Sequence, residues 1–96
     1  MQSYNFALSA ENDLADIVDY TIRKWGADQA SKYIDGLEQQ TQLLAENPIL
    51  AKPVDQLFKG LRAFPYQRHT IYFVEVSHGI TISRVLHKSM DPKLHI

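Results

Sequence analysis

Two runs with helical periodicity meet at Gly26, and this junction constrains the fold of the chain more than any other feature. The run before it repeats apolar or small residues at steps of three and four, as one face of a helix does (Ala10, Leu14, Ile17, Val18, Thr21, Trp25). The run after it repeats them in the same way (Ala30, Tyr33, Ile34, Leu37, Thr41, Leu44). Glycine readily adopts the left-handed conformation that closes a helix, and the Gly26-Ala27 link is short. The sequence therefore predicts an antiparallel helical hairpin.

The first helix is predicted to begin at Ser9, whose hydroxyl can cap the free N–H groups of a first turn. Glu11 and Asp13 place negative charge where the helix dipole favours it. Asp13 falls outside the apolar stripe, whereas Trp25 lies on the stripe and is expected in the core. Gly26 is expected to end this helix.

The second helix is predicted from Asp28 to Glu46, and Asn47-Pro48 stops it because the residue before a proline avoids the helical conformation. Gly36 lies inside this helix, where glycine costs about 1 kcal/mol relative to alanine. It shares a flank with Leu43, and we expect another segment of the chain to contact that flank.

Four strands are predicted around the hairpin. Residues 4–8 alternate as a half-buried strand does, and three more strands are expected at 61–65, 69–76 and 80–87. The strand at 69–76 is apolar on both faces, so it should be central. Residues 48–60 are expected to form a docked connection with one helical turn. The result is an α+β domain: a strand, an antiparallel helical hairpin packed on one face of the sheet, and a three-stranded antiparallel meander.

Composition limits the chain to one domain, residues 1–96, with 45% hydrophobic residues and a single core. It contains no apolar run of membrane-spanning length, and its start lacks the pattern of a signal peptide. We therefore expect a cytoplasmic protein without membrane contact. The chain has no cysteine, and its four histidines form no ligand cluster. Neither a metal site nor a cofactor is expected.

Charge is distributed unevenly along the chain. Residues 1–51 contain three basic and eight acidic residues, whereas residues 52–96 contain seven basic and three acidic ones. A basic half suggests an anionic partner surface, such as nucleic acid, a nucleic-acid enzyme or an acidic peptide. A solvated surface of mixed charge explains the same counts equally well.

Six stretches of the sequence, in this order and spacing, resemble the RelE/ParE toxin superfamily and more closely its ParE branch. They are LSAENDLADI at 8–17, YTIRKWG at 20–26, LAENP at 44–48, GLRAFP at 60–65, HTIYF at 69–73 and RVLHKSMD at 84–91. The resemblance implies a toxin that inhibits DNA gyrase by binding it, without catalytic residues of its own. It also implies a ParD-like antitoxin, whose C-terminal segment wraps the toxin and whose N-terminal part binds the promoter, so that the toxin meets promoter DNA only indirectly.

The RelE branch, whose members cut messenger RNA on the ribosome, is the main alternative. Its strand commonly carries an arginine where this chain has Thr70, and no tyrosine follows Tyr72. His87 or His95 could replace the missing aromatic group, with Arg62 and Arg84 as cations. A third possibility is a protein that has lost toxicity and acts only as partner and co-repressor of its antitoxin.

The residues expected to bind partners lie in the basic half: Arg62, Arg68, Arg84, His87, Met90 and Asp91. Acidic side chains of the antitoxin are expected near the three arginines, and its apolar residues on the hairpin and a sheet edge. Each candidate also has an ordinary explanation. Strand arginines can pack their stems on the sheet, and a histidine at a strand end often only bonds backbone. Motifs for nucleotide, serine or zinc hydrolysis are absent, so no small-molecule substrate is expected.

Overall fold

A computed structural model describes residues 2–96 of the chain. The strand β1 (Ser3–Phe6) is followed by the helices α1 (Leu8–Trp25) and α2 (Ala27–Glu46). The strands β2 (Lys52–Pro53), β3 (Leu61–Tyr66), β4 (His69–Val76) and β5 (Gly79–His87) complete the fold, together with short 3₁₀ turns at Pro48–Leu50 and Pro92–Leu94. The predicted order of strand, two helices and antiparallel strands is confirmed. Neither helix within residues 2–96 is long and apolar enough to cross a membrane.

The strands form one sheet in the order β1-β5-β4-β3-β2. β4 lies at its centre, as its apolar faces predicted. The pairs β2–β3, β3–β4 and β4–β5 are antiparallel, whereas β1 pairs in parallel with the first half of β5. The two-residue strand β2 and the parallel pairing were not predicted, because a two-residue strand leaves no period and pairing depends on distant residues.

The helix α2 supplies the larger share of the core. Six of its residues are buried against the sheet and against α1: Ala30, Tyr33, Leu37, Thr41, Leu44 and Ala45. A β-carbon at Gly36 would collide with the hydroxyl of Tyr66. The predicted contact on the Gly36 flank is therefore confirmed, and its partner is the end of β3.

The helix α1 is much less buried, with Ala10 as its only fully buried residue. Trp25 is 62% exposed, so the prediction that it lies in the core was wrong. Leu14 and Ile17 pack against the core, whereas Trp25, in the last turn of α1, is not among the residues packed on it and instead lines a cleft. Gly26 has φ of 94° and accommodates the sharp reversal into α2.

The side chains of α1 complete the edge of β5 beyond the end of β1. Ser9 donates from its hydroxyl to the carbonyl of Ser83 at 2.9 Å, and the carboxylate of Asp13 accepts the backbone N–H of Val85 at 3.0 Å. Ser9 therefore does not cap the helix, which begins one residue earlier with Ala7 at its N-cap. Although it falls outside the apolar stripe, Asp13 points at the sheet, where a free strand edge needs polar partners.

A second, smaller core lies on the face of the sheet opposite the helices. Val54 and Leu61 pack there on Tyr72 and Leu86. The segment between β2 and β3 covers this face, which explains why both faces of β4 are apolar. The interpretation of residues 48–60 as a docked connection with one helical turn is confirmed by this packing and by the 3₁₀ turn.

Candidate partner-binding cleft

A cleft of about 680 Å³ opens where the junction of the two helices meets one end of the sheet. Its walls come from the second half of α1, the start of α2, the β3–β4 turn and the end of β5. The residues that line it are spread along the sequence between positions 16 and 87, so only the tertiary structure brings them together. A volume of this size suits a ligand or a few side chains of a partner.

Aromatic side chains and a histidine pair form the floor of the cleft. The hydroxyl of Tyr33 lies 3.2 Å from Nδ1 of His69, and the hydroxyl of Tyr66 donates to the carbonyl of Tyr33 at 2.9 Å. The rings of His69 and His87 meet edge to face, with centroids 5.5 Å apart. Burial lowers the pKa of His69, and the nearby His87 lowers it further. Burial, with a smaller contribution from Tyr66, raises the pKa of Tyr33.

At neutral pH Tyr33 and His69 therefore form an uncharged hydrogen-bonded pair in this floor. Tyr33 keeps its proton and can donate it to His69, whose ring stays neutral. Such an arrangement fixes the ring orientations and stabilises the packing of α2 on the sheet.

The rim of the cleft is cationic on the side of the sheet. Arg68 is exposed, and its carbonyl accepts the backbone N–H of Lys88 at 3.0 Å. Gln67, with φ of 57°, makes the tight β3–β4 turn that presents Arg68. Nδ1 of His87 lies 2.7 Å from the hydroxyl oxygen of Ser89. The backbone carbonyl of His87 accepts the backbone N–H of Met90. Of the six predicted partner-binding residues, Arg68 and His87 line the cleft, and Met90 is tied to it only through its backbone hydrogen bond to His87.

The opposite rim carries exposed aromatic side chains on α1. Tyr20 and Trp25 are both more than half exposed, and the ammonium of Lys24 lies 5.6 Å and 5.8 Å from the centroids of their rings. Tyrosine and tryptophan are enriched among the residues that contribute most of the binding energy at protein interfaces. Sequence reasoning missed these residues as site residues, because a tryptophan on a helical stripe is usually core.

Arg84 lies away from the cleft and is engaged within the chain. It forms a bidentate ion pair with Asp13, with both nitrogen–oxygen distances 2.8 Å, and it also donates to the carbonyl of His95. The side chains of Arg84 and Asp13 are only 21% and 13% exposed. The hydrogen bond to Asp13 raises the pKa of Arg84. This pair fastens α1 and the C-terminal segment to β5.

Arg62 and Asp91 also have partners inside the chain. Arg62 donates to the carbonyl of Ala51 at 2.8 Å and pairs with Glu75 at 3.4 Å. The carboxylate of Asp91 accepts the backbone N–H of Lys93 and begins the last 3₁₀ turn. These contacts hold the β2 edge and the C-terminal segment in place.

The residues weighed for RNA cleavage are not gathered into one group. Within residues 2–96, neither Arg62 nor Arg84 is linked to His87 by a hydrogen bond or an ion pair, and only the backbone of His95 meets Arg84. Across the same described part of the chain, no group of three or more histidine or carboxylate side chains could hold a metal ion.

Comparison with known proteins identifies the family. Residues 4–92 match the family model described as the ParE toxin of the type II toxin-antitoxin system parDE. Toxin ParE1 of Caulobacter vibrioides is 32% identical over 96 residues, which are 100% of this chain and 99% of that protein. Toxin ParE of Escherichia coli is 34% identical over 92 residues, covering 95% of this chain and 89% of that protein.

A solved structure described as a chromosomal ParDE toxin-antitoxin system from P. aeruginosa has the same fold. It superposes with a TM-score of 0.73 at 20% identity and covers 91% of this chain and 96% of its own. The fold of the sheet and the hairpin is therefore shared beyond close relatives. Together with the match over residues 4–92, this places the chain in the family of ParE toxins of type II toxin-antitoxin systems.

Proposed function

We propose that this toxin inhibits DNA gyrase by binding it and that a ParD-like antitoxin neutralises it. Membership of the ParE family is the observation that carries the proposal. The toxin itself contributes no catalytic group, and DNA damage follows because the cleavage intermediate of gyrase persists. The toxin acts in the cytoplasm, where gyrase works, and it reaches promoter DNA only through the antitoxin.

The antitoxin docks in the cleft beside α1 in this proposal. An apolar side chain of the antitoxin packs against Tyr20 and Trp25, whose exposed rings form one rim. An acidic side chain meets Arg68, which is exposed and has no ion pair among the described residues. His87 lines the same end of the cleft, and Met90, whose backbone N–H meets the carbonyl of His87, completes the contact.

Arg62, Arg84 and Asp91 contribute in a different way. The guanidinium of Arg84 already meets Asp13, so an acidic antitoxin residue near it joins or displaces an existing ion pair. Arg62 is likewise already paired with Glu75, so an acidic antitoxin residue near Arg62 joins or displaces that ion pair. Asp91 caps the start of the last 3₁₀ turn. We expect Arg68 to contribute more to antitoxin affinity than Arg62 or Arg84.

A supercoiling assay tests the target. Purified gyrase and relaxed plasmid are incubated with the toxin, with and without antitoxin, and ribosome-bound messenger RNA is incubated in parallel. Inhibited supercoiling with accumulated cleaved plasmid and intact RNA supports gyrase as the target. Cut RNA with unaffected gyrase contradicts the proposal and moves the chain to the ribonuclease alternative. Growth that continues after induction, with intact antitoxin binding, points to a non-toxic co-repressor instead.

The antitoxin surface is tested separately by affinity. Arg68→Glu should weaken antitoxin binding at low salt by about tenfold or more, since a favourable pair becomes a like-charge contact. Lys59→Glu makes the same charge change at an exposed residue outside the cleft and serves as the matched control. Equal affinities of the two variants would place the antitoxin elsewhere.

A further inference from the structure

The side of α1 that faces away from the cleft borders a second surface, a shallow groove between α1 and β1. Phe6, Leu14, Val18 and Ile22 line its apolar part. Leu14 and Val18 are half-buried, and Ile22 is 46% exposed. Glu11 and Asp19 stand at the groove as its acidic residues. We call this surface the acidic groove, and the antitoxin proposal makes no use of it.

The acidic groove runs along the unprotected edge of the sheet. The opposite edge is β2, which is two residues long and contains Pro53, and both features discourage strand addition. The second half of β5 has its edge groups bonded to Ser9 and Asp13. Within residues 2–96, the outer edge of β1 has no strand partner, and the side chain of Gln42 reaches only the carbonyl of Gln2 at its start.

Charge decides what can occupy this edge. The carboxylate of Asp19 has only an exposed ion pair with Arg23, which is worth little in water, and Glu11 has no ion pair among the described residues. An acidic segment would bring like charges together here. Two copies of this chain joined through β1 would do the same, because each would bring its own Glu11 and Asp19. A basic segment with apolar residues is the complementary occupant.

We propose that the acidic groove and the edge of β1 bind an extended segment of gyrase that carries apolar residues next to lysine or arginine. This inference rests on the proposed function, since gyrase as the target comes from there. The segment pairs its backbone with β1, places apolar side chains on Leu14 and Ile22, and directs cations at Glu11 and Asp19. Target and antitoxin then contact opposite sides of α1, so the two kinds of binding can be separated by mutation.

The test uses charge reversal in the acidic groove. The double variant Glu11→Lys with Asp19→Lys is compared with Asp35→Lys with Glu38→Lys, which makes the same charge change at two exposed residues of α2. Ile22→Ser is a third variant that removes apolar contact without changing charge. Thermal unfolding of each protein confirms that it is folded. The concentration that halves gyrase supercoiling and the antitoxin dissociation constant are then measured for all of them.

We expect the groove variants to need about tenfold more toxin for half-inhibition, because like charges at an interface and a lost apolar anchor each weaken binding. Their antitoxin affinity should match that of the α2 control. Unchanged inhibition by folded groove variants would overturn the inference while leaving gyrase as the target. Lost antitoxin affinity would assign the groove to the antitoxin, and a wild-type dimer that the variants abolish would assign it to a second copy. Failure of the wild-type toxin to inhibit gyrase would instead reject the proposed function. It would also reject gyrase as the occupant of the acidic groove.

Discussion

The two helices of the hairpin have similar lengths and amphipathic sequences, but they are buried very differently. Six residues of α2 are buried, including Leu37, which is 1% exposed. In α1 only Ala10 is fully buried, and four large apolar residues are more than 40% exposed: Leu8, Tyr20, Ile22 and Trp25. Apolar residues that are exposed together on one surface are typical of places where a partner binds. We therefore expect α2 to contribute more to stability, and we propose that α1 contributes recognition surfaces on both of its sides.

The largest expected effect is on folding and concerns α2. Leu37→Ala should lower the free energy of unfolding by about 2–5 kcal/mol, because it leaves a cavity in the main core. Ile22→Ala in α1 should lower it by less than about 1 kcal/mol, since much of that side chain is already in water. Urea denaturation of both variants measures the difference. Similar losses would show that the two helices contribute equally to stability.

The ion pair between Asp13 of α1 and Arg84 of β5 is the one contact of α1 that we expect to contribute strongly to stability. Asp13→Ala should lower the free energy of unfolding by about 2–3 kcal/mol, because Arg84 loses its partner and the N–H of Val85 loses its acceptor. Asp19→Ala removes an exposed carboxylate from the same helix and should change stability by less than about 1 kcal/mol. If both substitutions had the same effect, the edge contact would not be holding α1 to the sheet.

Trp25 separates recognition from stability. Trp25→Ala should weaken antitoxin binding by about 2 kcal/mol, as loss of an exposed aromatic anchor does at protein interfaces. Its effect on unfolding should stay below about 1 kcal/mol, because the side chain is 62% exposed. Calorimetric titration with the antitoxin and urea denaturation give the two numbers. Strong destabilisation with unchanged antitoxin affinity would show that Trp25 has a structural role instead.

The smallest effect concerns the floor of the cleft and pH. The pKa of His69 is lowered in the folded state by burial and by His87, so the unfolded chain binds a proton first as pH falls. His69 therefore lowers the free energy of unfolding as pH falls through the ordinary histidine pKa of 6.5. The loss levels off once the pH is below the pKa of His69 in the folded protein. His69→Gln should flatten this dependence between about pH 7.5 and about pH 5.5. A pH profile identical to that of the wild type would contradict the assignment.

Local sequence determined most of the secondary structure. Periodicity predicted both helices and the buried face of α2, while Gly26 and Asn47-Pro48 predicted where the helices end. Alternation placed β3, β4 and β5 within one residue of their observed bounds. These features depend on backbone conformation and on spacing between near neighbours, which are readable without knowing the rest of the fold. The ParE resemblance was likewise visible in six stretches of sequence, and the family match confirms it.

The tertiary structure alone decided which residues of α1 are buried and where the cleft lies. Periodicity predicts a face of a helix but not how closely other elements pack against each part of it, so Trp25 was assigned to the core although it lines an open cleft and is 62% exposed. Asp13 fell outside the stripe, yet the free edge of β5 gave it both a backbone donor and Arg84. The cleft unites Trp25, Arg68 and His87 across more than 60 residues of sequence. Contacts at such separations depend on packing of whole elements, which no local pattern encodes.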